Sequence, residues 1–450
     1  AGTFLFCAGM VLIYSHITSP RLQYICHFIF KELMEVDFSI TIDPEEFRNY
    51  QGVKINYSDA DIHSAGGVNA FNIQGNSLLF DEIIIRQEII CFEVNGSKAF
   101  FRTHNSDLPF DIFAASFYLL TRYEEYLPHE KDMYGRYAHQ NSLAFKEGFL
   151  DMPLINIWVK AFAEKLKEKF SIFNAQFTNF RFQPTYDIDI AYSYRHKGLL
   201  RNIGGFIKSP SAERIRVLAR SVQDPFDSYE WLHRLHQRYH LQPIYFFLVA
   251  EKNGQYDKNI LPHKDAVWKL VKQHAKKYSI GLHPSWQSGD TPSLLKKEKE
   301  LLEAMADSGR GASSDLNAIR RSRQHYIRFN LPGEYRKLVE AGITDDHSMG
   351  YGSINGFRAS VASPFYWYDL EKEEQTELRV HPFCFMDANA YYEQKQSALQ
   401  TEDELLHYSS VCKEVNGTLT SIWHNNFLGT AKEFSGWKEL YEKFIALALQ

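Results

Sequence analysis

The sequence predicts an α/β protein: a smaller mixed α/β domain over 1–175, followed by a closed or nearly closed barrel of parallel strands and helices over 176–450. Three observations predict it. From about residue 179 onward, short β-prone runs alternate with helical patterns, the rhythm of a parallel sheet wrapped by helices. Before that point the order of elements is irregular. Third, the first run of the second part, Gln183-Pro184-Thr185-Tyr186-Asp187-Ile188-Asp189-Ile190, sets two carboxylates two residues apart inside an apolar stretch. Strand alternation puts Thr185, Asp187 and Asp189 on one face, and such a pair is tolerable only at a solvated strand end or around a cation.

Composition narrows the function classes. With 450 residues, 44% of them hydrophobic, the chain has material for full cores in two or three domains. A formal net charge of -5 and a pI near 6.4 provide no basic field, so nucleic acid is not an expected partner. The 34 Phe, 26 Tyr and 7 Trp are numerous, and rings supply core bulk or, when exposed, platforms for sugar rings. Trp286 and Trp423 are read as core. Cys7, Cys26, Cys91, Cys384 and Cys412 are odd in number and contain no C-x-x-C pair, which argues for a reducing, cytoplasmic setting over a disulfide framework. The apolar run 1–14 has no preceding Lys or Arg and is too short to cross a bilayer; Val11 to Tyr14 is read as a buried strand.

Taken in order, Ser19-Pro20 is an N-cap followed by a helix-starting proline, and 22–33 has helical spacing of apolar residues. Strands are predicted at 38–42, 54–57, 83–85 and 98–101, with Gly66-Gly67 and Asn95-Gly96 as turns. Helices follow at 111–126 and 153–170, the second carrying Trp158, Phe162 and Leu166 at spacing four. In the second part the strands are 180–190, 243–250, 279–283, 326–330, 343–348, 378–386 and 418–424. Helices fall at 228–239, 264–277, 292–305, 333–341, 402–415 and 436–449.

In a parallel barrel, chemistry gathers at the carboxyl ends of the strands. Those ends hold Asp187 and Asp189, His283, the run Asp345-Asp346-His347-Ser348, Asp387, and Trp423-His424-Asn425-Asn426, with Arg358 among small residues after the fifth strand. Carboxylates, imidazoles and a guanidinium on one rim suit metal-assisted or acid-base hydrolysis. His325, His381, Asp346 and Ser348 fall under no motif and receive no role.

Residues 179–450 resemble the NodB-homology domain of polysaccharide deacetylases, carbohydrate esterase family 4. That resemblance implies a distorted seven-stranded β/α barrel that removes acetyl groups from N-acetylated sugars. Thr185-Tyr186-Asp187-Ile188-Asp189 resembles the first family motif, which implies Asp187 as general base and Asp189 as metal ligand. His283-Pro284-Ser285-Trp286-Gln287 lies where the second motif supplies two imidazole ligands, and implies His283 as one of them. Gly356-Phe357-Arg358 with Ser363-Pro364-Phe365 resembles the arginine motif, implying that Arg358 orients the base. Ser421-Ile422-Trp423-His424 resembles the last motif and implies His424 as general acid; Met386-Asp387 is a looser match to the acidic motif before it. The chain departs from the pattern at Gln287, which stands where the second metal histidine would be. An amide carbonyl ligates a hard cation but serves zinc less well than imidazole. The first region, through Asp111-Ile112-Phe113-Ala114-Ala115-Ser116-Phe117-Tyr118 and Arg122-Tyr123-Glu124-Glu125-Tyr126, resembles an N-terminal domain of unassigned function found in a bacterial branch of these proteins.

The expectation is a hydrolase with a divalent metal, zinc or another, on Asp189, His283 and Gln287, acting on an acylated carbohydrate. The alternative is a carbohydrate-binding or regulatory barrel that lost hydrolysis with the second histidine; a third reading is an amidase acting on a small non-sugar amide.

Overall fold

The computed structural model describes residues 10–58, 69–208, 210–307 and 318–449. The chain is mixed α/β with sheets rich in parallel pairs. β1 (Val11–Tyr14) is wholly buried, as a strand covered on both faces must be, and lies between β2 (Phe38–Thr41) and β3 (Val53–Tyr57) in parallel. β4 (Phe71–Ile73) completes this sheet, in the order β2-β1-β3-β4. Ser19 caps the helix Pro20–Cys26 by accepting from Leu22 N–H, and the helix runs on as wider turns over His27–Leu33. β5 (Phe92–Val94) and β6 (Ser97–Ala99) form a hairpin on Asn95-Gly96, both with positive φ as its two-residue turn needs. The helix predicted over 111–126 stops early: Ile112–Leu120 is helical, capped by Asp111, before Arg122 takes φ 56° and a short 3₁₀ turn follows.

No strand forms at 83–85; Ile83 and Ile85 are exposed, and the backbone of Ile85 binds the Tyr123 hydroxyl in place of a partner strand. The Gly66-Gly67 turn and residues 1–9 lie outside the described residues.

The second sheet holds β7 (Arg181–Ile188), β8 (Ile244–Leu248), β9 (Ser279–His283), β10 (Arg321–Ser322), β11 (Asp345–Asp346), β12 (Phe365–Asp369), β13 (Glu374–Val380), β14 (Phe385–Met386) and β15 (Thr418–His424). Their order is β12-β13-β11-β10-β9-β8-β7-β15-β14, and only the β12–β13 pair is antiparallel. Two expectations shift. The fourth strand is Arg321–Ser322, not 326–330, where His325–Ile327 makes a 3₁₀ turn with Tyr326 at φ 58° and Ile327 at φ 53°. The strand predicted over 378–386 is broken: its first part pairs with β11 and its last with β15. The strand β12 and the helices Leu199–Lys208 and Ala212–Leu218 are not anticipated by the sequence patterns above. One continuous apolar core joins residues before and after 175, from Val11 and Phe113 to Ile188, Trp423 and Phe444. Among the described residues, no helix is long and apolar enough to cross a membrane.

Candidate functional site

The register of β7 with its neighbours assembles the site. His424 at the end of β15 lies beside Asp187, Asp187 beside Phe246 of β8, and Leu248 beside His283 of β9. Asp189 is the second residue beyond Asp187 and shares its face. Asp187 is buried, and its Oδ1 accepts from Arg323 Nη1 at 2.9 Å. The same nitrogen donates to Thr185 Oγ1 at 2.8 Å, and Nε donates to the His347 carbonyl at 3.0 Å. The guanidinium lies 4.4 Å from the Phe246 ring centre. Phe246 can lie there because residue 281 is glycine: a Cβ would stand 2.5 Å from that ring. Oδ2 of Asp187 faces the other way, 3.9 Å from His283 Nε2.

Asp189, His283 and His325 form a group whose ligand atoms all lie within 4.8 Å of one another and can hold a metal ion. His283 Nδ1 is 2.5 Å from the Arg323 carbonyl and His325 Nδ1 is 3.0 Å from Asp257 Oδ1. Both partners only accept, so the proton of each neutral imidazole sits on Nδ1 and the Nε2 lone pair is turned inward. Those Nε2 atoms stand 3.0 Å from Asp189 Oδ1 and 3.4 Å from Oδ2. Oδ1 is nevertheless a buried atom with no hydrogen bond. A carboxylate oxygen and an imidazole lone pair converging without a shared proton is the arrangement of two ligands to one cation, and two imidazoles with one carboxylate suit zinc or a similar divalent ion. With protons alone, burial opposes ionisation of His325, yet Asp189 and Asp257 raise it to about 9; a cation would displace that proton.

His424 completes the rim. Its Nδ1 is 2.6 Å from Asp387 Oδ1, its backbone N–H donates to Asp387 Oδ2 at 2.7 Å, and its Nε2 lies 3.5 Å from Asp189 Oδ2. Burial opposes its charge, but Asp387 above all, then Asp189 and Asp187, raise the imidazole to about 10, so it carries a proton to offer near neutral pH.

Two expected participants stand elsewhere. Arg358 does not meet Asp187; it donates to Glu125 at 2.8 and 2.5 Å and to the Gly350 carbonyl at 3.0 Å. It belongs to the loop between β11 and β12, whereas Arg323 lies one residue past β10 with its side chain turned across to β7, and so takes the place facing Asp187. Gln287 is not one of the metal-holding group. Its amide donates to Asp257 Oδ2 at 3.1 Å and to the Lys252 carbonyl at 3.3 Å, so it steadies the carboxylate that orients His325. The sequence patterns give Arg323 and His325 no role because they put the fourth strand five residues late. Arg-x-His, with both side chains on one face of a strand end, was the available signal.

Asp187, Asp189, His283, His325 and His424 line a cleft of ≈ 450 Å³ that residues from before 175 help to wall. Tyr134 packs 5.4 Å from Tyr326, and Arg136 Nη1 donates to the Tyr326 carbonyl at 2.6 Å. Beside them Tyr256 stacks on Trp286 with centroids 4.0 Å apart, so Trp286 belongs to an aromatic rim, whereas Trp423 is core as expected.

Residues 11–171 match the model of a family described as a family of unknown function (DUF7033). No curated protein matches the sequence. Among solved structures, a "putative polysaccharide deacetylase from Mycobacterium smegmatis" aligns with 60% of this chain and 84% of its own, at 11% identity and a TM-score of 0.39.

Proposed function

We propose that the chain is a metal-dependent hydrolase that removes acetyl groups from an N-acetylated or otherwise acylated bacterial glycan. One observation carries the reading: Asp187, Asp189, His283, His325 and His424, from four strand ends, meet in a single cleft with the two Nε2 lone pairs turned inward. Asp189, His283 and His325 would hold the cation, which when bound supplies Lewis-acid polarisation of an acyl carbonyl and of water. Asp187 takes the proton of the attacking water through Oδ2, because Oδ1 is fixed by Arg323. His424, kept protonated by Asp387, gives its Nε2 proton to the departing amine or alcohol. Hydrolysis thus consumes one water and yields acetate and a free sugar amine or hydroxyl. The aromatic rim suits stacking of sugar rings. The binding-only alternative rests on Gln287 in place of a second histidine, and His325 beside Asp189 and His283 supports the hydrolase reading over it.

We read the second sheet as the distorted seven-stranded barrel, with 374–386 acting as one broken strand. Support comes from its two ends, which pair with β11 and β15 and so bridge the edges of the sheet, and from the intervening bonds His381 N–H to Asp346 O and Cys384 N–H to Thr420 O. A boundary near 175 is supported by sheet membership, since β1–β6 precede it and β7–β15 follow.

The test is acetate release from chitooligosaccharide and peptidoglycan panels, with metal content measured alongside. Activity should vanish with chelator and return with metal, and Asp187→Asn should keep the fold and the metal while lowering turnover by about 10³ or more. Full activity in Asp187→Asn, or in chelated protein, would overturn the reading.

A further inference from the structure

The amino-terminal ends of the same strands surround a second cavity, of ≈ 270 Å³. Register explains what lines it. Arg321, Asp345 and Arg379 are paired across β10, β11 and β13, so their side chains share one face. Arg323, two residues on from Arg321, points from that face to Asp187, which makes it the interior face. Arg181, at the start of β7, adds a third guanidinium, and His347 and His381 add two imidazoles. Asp345 is the one carboxylate in this wall, and its Oδ1 is engaged by His381 Nε2 at 2.9 Å. Glu32 approaches from outside, 3.6 Å from Arg379; burial pushes it up to about 7 in spite of that arginine, so it offsets the guanidinium only in part.

His347 supplies an independent observation. It is 2% exposed, its ring lies between Phe246 and His381 at 5.2 and 4.3 Å, and neither ring nitrogen has a hydrogen-bond partner. Burial, and then the neighbouring His381, Arg323 and Arg321, disfavour its protonation. A buried polar ring left unpaired is costly, and here it backs the wall of a cavity lined by three guanidiniums.

We infer that this cavity binds a phosphate group, free or as a small phosphate monoester, held by the guanidiniums of Arg181, Arg321 and Arg379. Planar guanidinium forks match the spacing of phosphate oxygens, and three of them against one lining carboxylate suit a dianion better than a monocarboxylate. The site lies at the opposite end of the strands from the metal group, so a bound anion would reach it through Arg323, whose Nε holds the His347 carbonyl.

The experiment is a ³¹P line-broadening titration of the full chain with inorganic phosphate and with glucose 6-phosphate, in chelator at fixed ionic strength. Saturable millimolar or tighter binding is expected, with acetate failing to compete at equal concentration. Tighter binding of the ester assigns the carried form, and equal binding assigns the free anion. Arg321→Gln and the half-exposed Arg379→Gln should each weaken binding by about tenfold or more. Arg234→Gln, on the exposed face of the helix Tyr229–Tyr239, should leave it unchanged. Absence of saturable binding, equal weakening by Arg234→Gln, or loss of binding in His424→Gln, which would put the anion in the metal cleft, overturns the inference.

Discussion

Replacing Glu125 with glutamine separates the two roles open to Arg358. Glu125 is buried and receives Arg358 through both oxygens and Arg122 Nε at 2.8 Å. Burial alone would raise its carboxyl, but Arg358 and Arg122 lower it to about 2 from the ordinary 4.5. At about 1.4 kcal/mol for each pH unit, that difference corresponds to about 3 kcal/mol of stability. The sign follows from a depressed value: the contribution is complete above pH 4.5 and is lost as the pH falls toward 2. A glutamine side chain would keep the volume but turn an amide NH₂ toward a guanidinium and strand its charge. Breaking a buried pair from one side typically costs about 3–5 kcal/mol. Glu124, 2.7 Å from Arg122, still compensates that arginine, so the lower end, about 3 kcal/mol, is expected. The assay is urea unfolding of wild type and Glu125→Gln at pH 7 and pH 3. The variant should lose about 3 kcal/mol at pH 7 and much less at pH 3, while acetate release per folded molecule stays within about twofold. A stability change below about 1 kcal/mol at pH 7, or lost turnover in a fully stable variant, would refute a structural Arg358.

Arg323→Lys should behave in the opposite way, lowering kcat by about 10²-fold or more with the metal retained, because a single ammonium cannot hold both Asp187 and the His347 carbonyl; metal analysis beside kinetics checks it. His325→Gln should abolish stoichiometric metal binding, and Gln287→Ala should weaken it by about tenfold through Asp257, both read by competition with a chromophoric chelator. Glu298 accepts from the backbone N–H of Ser285, yet burial pushes it up to about 7 from 4.5. A raised acid favours the folded state at low pH, so stability relative to Glu298→Gln should fall by about 3 kcal/mol between pH 4.5 and 7, measured by denaturant titration.

Much of the second sheet was legible because parallel strands are short apolar runs closed by polar residues. Ser279–His283 and Thr418–His424 stand where the sequence places them, and both end in an imidazole at the cleft. β10 was not legible: its two residues, Arg321 and Ser322, have no apolar signal, and the more hydrophobic stretch after them, Tyr326 to Phe329, attracts the strand assignment. That error hid Arg323 and His325 together. The arginine motif misled for a different reason. A lone guanidinium among small residues has the same appearance whether its carboxylate lies in the cleft or, like Glu125, 233 residues upstream across the packed halves.

The bond from Arg136 to the Tyr326 carbonyl carries a last consequence. Tyr326 and Ile327 hold left-handed backbone that a ring-bearing and a β-branched side chain disfavour, immediately after His325. Their conformation is braced by a guanidinium from before residue 175, itself anchored on Asp132. A chain begun at residue 176 would therefore retain all three metal-holding side chains yet lose the prop beneath one of them, so the second half is not a self-sufficient metal site and its partner is part of the instrument.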